Sequence, residues 1–509
     1  MLFAATTPRP ESEFAYFRAL REWLPEPFFQ TQPFLMFFAV VAGVYWLTPR
    51  RWKTVRVWWL VIASFHFYAA WSAELAFLVG ATTVADFLLA RLMDRTADPR
   101  GRRALLLTSI GMNLGILAYF KYKNFFLGSL KAFFEAAGVP GSFDTLNVLI
   151  PLFGISFYTF EAISYAVDVY RGKIKAERSL PHFLLFILFF PHLVAGPIVR
   201  AGDFLKQTRR IKRWNWVRVQ VGVQHFLLGV FLKLAIADRM ALFCDGLPPG
   251  YDGPLHKPGD YSTASVWLAV MAYALRIYAD FAGYSHMAIG LAHLLGYRLN
   301  KNFDMPYLSP NVAEFWKRWH ISLSSWLRDY VYIPLGGNRG GGWATNRNLM
   351  LTMALGGLWH GASWSYVLWG ALHGALLIGH RQFKAWCEAR PSLGAALESA
   401  PGTVLRIAVT FAAVSFAWIF FRPDLDGAWR VLERMFVHSA GKPLDLNNRS
   451  LWYTVLFVLG CHALVKRGLW EKIWAKAPPI AMGMGYATCL TFAMLLAPPT
   501  GKTFIYFTF

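Results

Sequence analysis

Three features of the sequence predict an all-α polytopic membrane protein. Hydrophobic residues make up 56% of the 509 residues and charged ones 16%, with a mean hydropathy of +0.36, a balance outside the range of soluble globules. Runs such as VWWLVIASFHFYAAW (57–71) and LLFILFFPHLVAGPI (184–198) recur along the chain, and a spanning helix needs about 20 such residues. The cations lie between those runs, in PRRWKTVR (49–56), RLMDRTADPRGRR (91–103) and LKQTRRIKRWNWVR (205–218).

That placement explains the formal net charge of +22. Basic loops on the cytoplasmic side follow the positive-inside bias, so the charge does not indicate nucleic acid. A basic cytoplasmic face also attracts anionic membrane lipid, or an anionic donor such as a coenzyme A thioester. The cysteines Cys244, Cys387, Cys461 and Cys489 are far apart, and no HExxH, Walker or GxGxxG motif occurs. Metal, ATP and dinucleotide chemistry therefore have no sequence support.

Apolar stretches at 32–48, 57–72, 73–91, 104–120, 148–169, 216–237, 262–282, 402–421, 450–466 and 480–498 each suit a spanning helix. Two less regular stretches, 180–198 and 349–379, raise the expectation to roughly eleven to thirteen membrane segments. Pro181, Pro191 and Pro197 interrupt the first, and basic loops flank it on both sides. A broken or re-entrant segment with both ends cytoplasmic fits, beside a cavity that shelters the irregular backbone. Residues 1–28 are expected to be an extension, with an interfacial helix over 11–28, and residues 29–509 a single transmembrane domain. The first 31 residues show no apolar signal-peptide core. Residues 283–348 read as a long aromatic-rich loop ending in GGNRGGGW, and 422–449 as a second polar loop. No internal repeat supports an inverted-repeat transporter.

Three clusters could carry chemistry. Projecting 316–331 on a helix places Trp316, Trp319, Leu323, Trp326, Leu327 and Tyr330 on one face, with His320 at its edge and Lys317, Arg318 and Arg328 opposite. An interfacial helix with a packed histidine is the plain alternative. An imidazole among indoles is partly desolvated, which keeps it neutral, as a general base must be. His360 lies eleven residues into the run that begins near Leu349, roughly 16 Å deep at about 1.5 Å per residue. Ionisable residues at that depth are functional candidates, and Gly356, Gly357 and Gly361 allow close approach by backbone or ligand. Arg276 and Asp280, four apart, share a helix face and form an expected ion pair. His286 and His293 lack a third metal ligand.

Two histidines, one near an interface and one deep, suit a tunnel where donor and acceptor meet. A neutral imidazole could take the proton of a hydroxyl. The Trp359 indole N–H, the Asn338 amide or a guanidinium could hold a developing oxyanion. No elbow motif supports an acyl-enzyme.

EFWKRWHISLSSWLRDYVYIPLGGNRGG (314–341) and GLWHGASWSYVLWGALHG (357–374) resemble the membrane-bound O-acyltransferase family, especially its bacterial alginate O-acetyltransferase branch. YFKYKNFF (119–126), FFPHLVAGPIVRAGDFLKQ (189–207), YADFAGYSHMAIGLAHLLGY (278–297), NFDMPYL (302–308) and the terminal FIYFTF agree. The resemblance implies a helical bundle around a central tunnel, with His360 as the deep histidine and His320 as the second. It implies acyl transfer from a thioester donor to a hydroxyl, with no resident cofactor. In the alginate branch, acetyl from cytoplasmic acetyl-coenzyme A crosses the inner membrane, and periplasmic partner proteins place it on an exopolysaccharide. The alternative branch takes D-alanyl from a carrier protein to teichoic acid; a non-enzymatic transporter is the alternative of another class. The substrate-binding expectation covers Trp359, Asn338, Arg328, Trp319, Asp280 and Arg276. His286 departs from the aspartate of many relatives.

Overall fold

The structure, a computed structural model, describes residues 29–138, 154–246, 252–444, 447–498 and 504. The extension at 1–28 lies outside them. The described residues are helical throughout, apart from irregular connections and one isolated β-bridge, Tyr261–Lys442. Each of the ten regular apolar stretches is helical over most of its described length. Five helices are long and apolar enough to cross a membrane: Ala73–Arg95, Pro99–Ala136, Thr263–Leu294, Ala400–Trp418 and Pro479–Leu496. Others, such as Gln32–Leu47 and Lys53–Ala69, are 16 and 17 residues long, and others still are broken.

The contacts divide the chain into two compact units. One takes in the described parts of Met1–Phe120, Leu149–Gly222 and Leu291–Arg298. Here the 180–198 stretch is broken, as its prolines require: Leu180–Leu188 stops, Phe190–Leu193 makes one further turn, and the chain then runs irregularly. Packed protein covers the break. Residues 183–199 are all buried; Ser64 Oγ accepts the Phe190 N–H at 3.1 Å and Glu161 Oε1 accepts that of Val199 at 2.8 Å. Glu161 also lies 3.3 Å from His192. Irregular backbone at such depth survives because side chains replace its lost partners. In the same unit Arg56 works as a structural cation. It donates to Thr48 O at 2.9 Å, at the C-terminus of Gln32–Leu47, and its guanidinium lies 5.2 Å from the Tyr45 ring.

The second unit takes in the described parts of Lys121–Val148, Val223–Gly290 and Leu299–Phe509. Its centre is the antiparallel pair Gly341–His360 and Trp364–Glu388. A Cβ on Gly357 would sit 2.1 Å from Tyr366 O, and one on Gly370 2.2 Å from Met353 O. Apolar burial drives helix association weakly in lipid, so close backbone approach at small residues supplies the packing. The expected loop at 283–348 is largely helical instead. Thr263–Leu294 runs twelve residues past the predicted end, and Val312–Arg318 and Ile321–Leu327 follow. Gly283 did not end the helix because it is a contact point: a Cβ there would meet Gly229 O at 2.9 Å.

Candidate active site

The stretch 316–331 is not one helix. Val312–Arg318 ends at Trp319, and His320 takes the left-handed conformation, φ 42° and ψ 55°, before Ile321–Leu327 begins. Arg328–Tyr332 then widens into a π-turn. Left-handed backbone costs a residue with a Cβ about 1–2 kcal/mol, so something must hold it. The segment at 302–304 does. Asp304 N donates to Arg318 O at 2.9 Å and Ile321 N to Asn302 O at 2.9 Å. The Asn302 carboxamide oxygen accepts from Ser322 N at 3.2 Å and Ser322 Oγ at 2.9 Å. Helical projection could not reveal this, because the break is stabilised from outside the helix.

The same carboxamide orients the histidine. A backbone N–H can only donate, so the Asn302 atom facing Ser322 is oxygen, and its nitrogen donates to Ser285 Oγ at 3.2 Å. His320 Nδ1 lies 3.2 Å from that oxygen, so Nδ1 carries the proton and the Nε2 lone pair is bare in the neutral ring. Nε2 has no hydrogen-bond partner among the described residues. The ring is 0% exposed and stands edge-on to Phe281, centroids 4.6 Å apart. Asn302 therefore positions His320. Asn302→Ala should lower thermal stability by about 1–3 kcal/mol and reduce acyl transfer while leaving both histidines in place. Unchanged activity in the purified variant would remove Asn302 from this role.

His360 is the last residue of its helix, which begins at Gly341, eight residues before the apolar run. Its ring is 4% exposed and held by Trp359, Trp369 and Phe421 at centroid distances of 4.9, 5.1 and 5.0 Å. The His320 ring lies 6.2 Å away and touches Trp359 at 5.9 Å. The two histidines that the sequence singles out, forty residues apart, thus share one aromatic enclosure. Gly357 and Gly361 open the approach for backbone and for the Tyr366 ring.

The end of the His360 helix exposes carbonyls that need donors. Tyr122 Oη donates to Leu358 O at 2.9 Å, and Lys121 Nζ to Trp359 O at 2.7 Å and His360 O at 3.1 Å. A cation at a helix C-terminus also meets the negative end of its dipole. Lys121 and Tyr122 lie in the π-turn Ala118–Tyr122. A lysine within an apolar run was the signal for them. His373, 0% exposed, accepts the Trp316 indole N–H on Nδ1 at 3.3 Å and stands edge-on to Trp369, centroids 4.8 Å apart. It extends the histidine–tryptophan cluster by one more ring.

The other expected site residues divide. Trp359 is at the pair. Trp319 is buried beside it, among Phe303, Phe315 and Trp418. Asn338 is not at the pair: it is exposed, accepts from Tyr332 Oη, and precedes the helix that His360 ends. Twenty helical residues separate them, about 30 Å. Arg328 is 62% exposed and pairs with its neighbour Asp329. Arg276 and Asp280 do not form the expected pair. Arg276 donates twice to Asp245, at 2.9 and 2.8 Å, and Asp280 pairs with Lys233 at 3.0 Å. Neighbouring helices offer each a better-oriented partner than the same helix does. Helix Thr263–Leu294 faces the pair with Phe281 instead. His286 stacks on His225, Nδ1 to Nδ1 at 2.9 Å.

Two neutral imidazoles enclosed together in a helical membrane chain can exchange protons with a group that reaches this buried centre. Comparison with known proteins says which group. Residues 173–416 match the membrane-bound O-acyltransferase family model. The chain is 39% identical over 464 residues to the probable alginate O-acetylase AlgI of Azotobacter vinelandii, covering 88% of each. It is 34% identical to the peptidoglycan O-acetyltransferase of Helicobacter pylori over 74% of this chain and 73% of that one. It is also 31% identical to the teichoic acid D-alanyltransferase of Streptococcus thermophilus, over 57% and 72%. The chain belongs to the membrane-bound O-acyltransferase family: it is a multi-pass membrane O-acyltransferase.

Proposed function

We propose that this protein moves an acetyl group from acetyl-coenzyme A, a cytoplasmic thioester donor, through the bacterial inner membrane for O-acetylation of an alginate-like or other cell-surface polysaccharide. The observation that carries the site is the enclosed pair His320–His360. The acetyl group is supported over D-alanyl by the longer match to an O-acetylase, 88% of this chain against 57%. A hydroxyl reaches the pair past Trp359, Trp369 and Phe421. Its oxygen attacks the thioester carbonyl carbon while its proton passes to His360. The bare Nε2 of His320 stabilises the imidazolium that forms, and the Trp359 N–H holds the oxyanion. The C–S bond then breaks, the proton moves to the leaving thiolate, and an O-acetyl ester remains. Periplasmic partner proteins complete delivery to the polymer.

The test supplies the purified full chain with acetyl-labelled coenzyme A and an oligosaccharide. Release of the free thiol is expected from the chain alone, with label reaching the sugar in equal amount once the periplasmic partner proteins are added. Transfer from a D-alanyl-loaded carrier protein, with none from acetyl-coenzyme A, would replace this reading by the D-alanyl one.

A further inference from the structure

A cavity of ≈ 1000 Å³ lies apart from the histidine pair, lined by Val312–Arg318, Trp364–Glu388, Pro391–Glu398 and Ala400–Trp418. Its wall is mixed. Phe383, Leu405 and Val409 supply an apolar side, and His380, Lys384 and Arg406 a basic one.

Arg406 is the unusual member. It sits in Ala400–Trp418, a helix long and apolar enough to cross a membrane and mostly unburied by the protein. On either side of it Leu405 and Val409 are 58% and 59% exposed, so this side of the helix faces lipid. A guanidinium within such a helix is costly unless paired. Among the described residues the Arg406 side chain makes one hydrogen bond, Nη2 to Thr403 Oγ1 at 3.3 Å, and its buried Nε–H has no acceptor. The acidic groups of the cavity are Glu314, Glu388 and Glu398. Glu314 is taken by Lys317 and Arg318, and Glu388 pairs with Lys384 at 3.8 Å near solvent. Arg406 and Lys384 are both close enough to act electrostatically on His380. Glu398 also lines the cavity, but among the described residues no ion pair joins Arg406 to any of the three carboxylates.

We propose that this cavity binds an anionic phospholipid, its phosphate on Arg406 with Lys384 adding charge, and its acyl chains along Leu405 and Val409. Guanidinium donors match phosphate oxygens in pairs, and basic pockets between membrane helices select anionic headgroups. The apolar wall opening toward lipid favours this occupant over a water-soluble anion, which would leave that wall uncovered.

The test titrates the purified full chain in detergent with phosphatidylglycerol and with phosphatidylcholine of the same acyl chains, and counts bound lipid by native mass spectrometry. The wild type should retain phosphatidylglycerol in preference. Arg406→Gln should weaken phosphatidylglycerol about fivefold, the effect of one cation near a headgroup, and weaken phosphatidylcholine less, because its choline cation already offsets its phosphate. Val409→Trp, which keeps Arg406 and fills the apolar end, should also displace phosphatidylglycerol, and it serves if Arg406→Gln does not fold. Equal retention of the two lipids by the wild type overturns the proposal. So does undiminished phosphatidylglycerol binding in either folded variant.

Discussion

Glutamine at position 360 should lower acyl transfer by about 10²–10⁴-fold, the usual contribution of a positioned general base, without unfolding the protein. Glutamine fills much of the imidazole's volume and keeps a polar end, but it cannot accept a proton at neutral pH. The cage of Trp359, Trp369 and Phe421 and the cap made by Lys121 and Tyr122 on the helix end do not depend on the ring. The measurement pairs labelled acetyl transfer with thermal unfolding in detergent. His320→Gln is the companion: a loss as large there, with His360→Gln retaining activity, would move the base to the bare Nε2 of His320. Wild-type rates in both variants would take the chemistry away from this pair altogether.

Lys233→Met should be the most destabilising single substitution among the ion pairs, by about 3–5 kcal/mol. Lys233 lies in the π-turn Leu232–Ala237, its side chain 4% exposed, with Asp238 at 2.8 Å and Asp280 at 3.0 Å. Removing this cation takes from the buried carboxylates of Asp238 and Asp280 the ammonium they share. The penalty belongs to those orphaned charges more than to the lost attraction. A triple variant, Lys233→Met with Asp238→Asn and Asp280→Asn, should therefore recover most of the lost stability, and the comparison of melting temperatures checks both. An unchanged melting temperature for Lys233→Met would show that water or another group compensates.

The helical character of the chain was legible because its warrant is local: apolar runs of spanning length can satisfy their backbone only as helices. The break at 180–198 was legible for the same reason, since Pro181, Pro191 and Pro197 remove donors wherever they sit. The pair His320 and His360 was legible in part. Each stood out as an ionisable group in an aromatic or apolar setting, and the family motifs joined them. Lys233 and Lys121 carried the same signal, a lysine inside an apolar run, and went unmarked because the groups that give them a role, Asp280 and the end of the His360 helix, lie on segments remote in the chain. Arg276 and Asp280 misled because i, i+4 spacing shows which side chains share a face, not which partner across an interface is better oriented.

By itself, then, the sequence determined a polytopic helical membrane protein, the positions of its apolar helices, and two histidines worth testing. Periodicity, hydropathy and backbone chemistry act over a few residues, and the sequence displays them directly. Tertiary structure alone decided that His320 sits in a left-handed break held by Asn302, that this contact leaves Nε2 bare, and that His360 ends its helix under a cap from Lys121. It also separated Asn338 and Arg328 from the site. Each of those facts depends on a hydrogen bond or a distance between segments remote in the chain. Such contacts form only when the helices pack, and helix periodicity does not specify them.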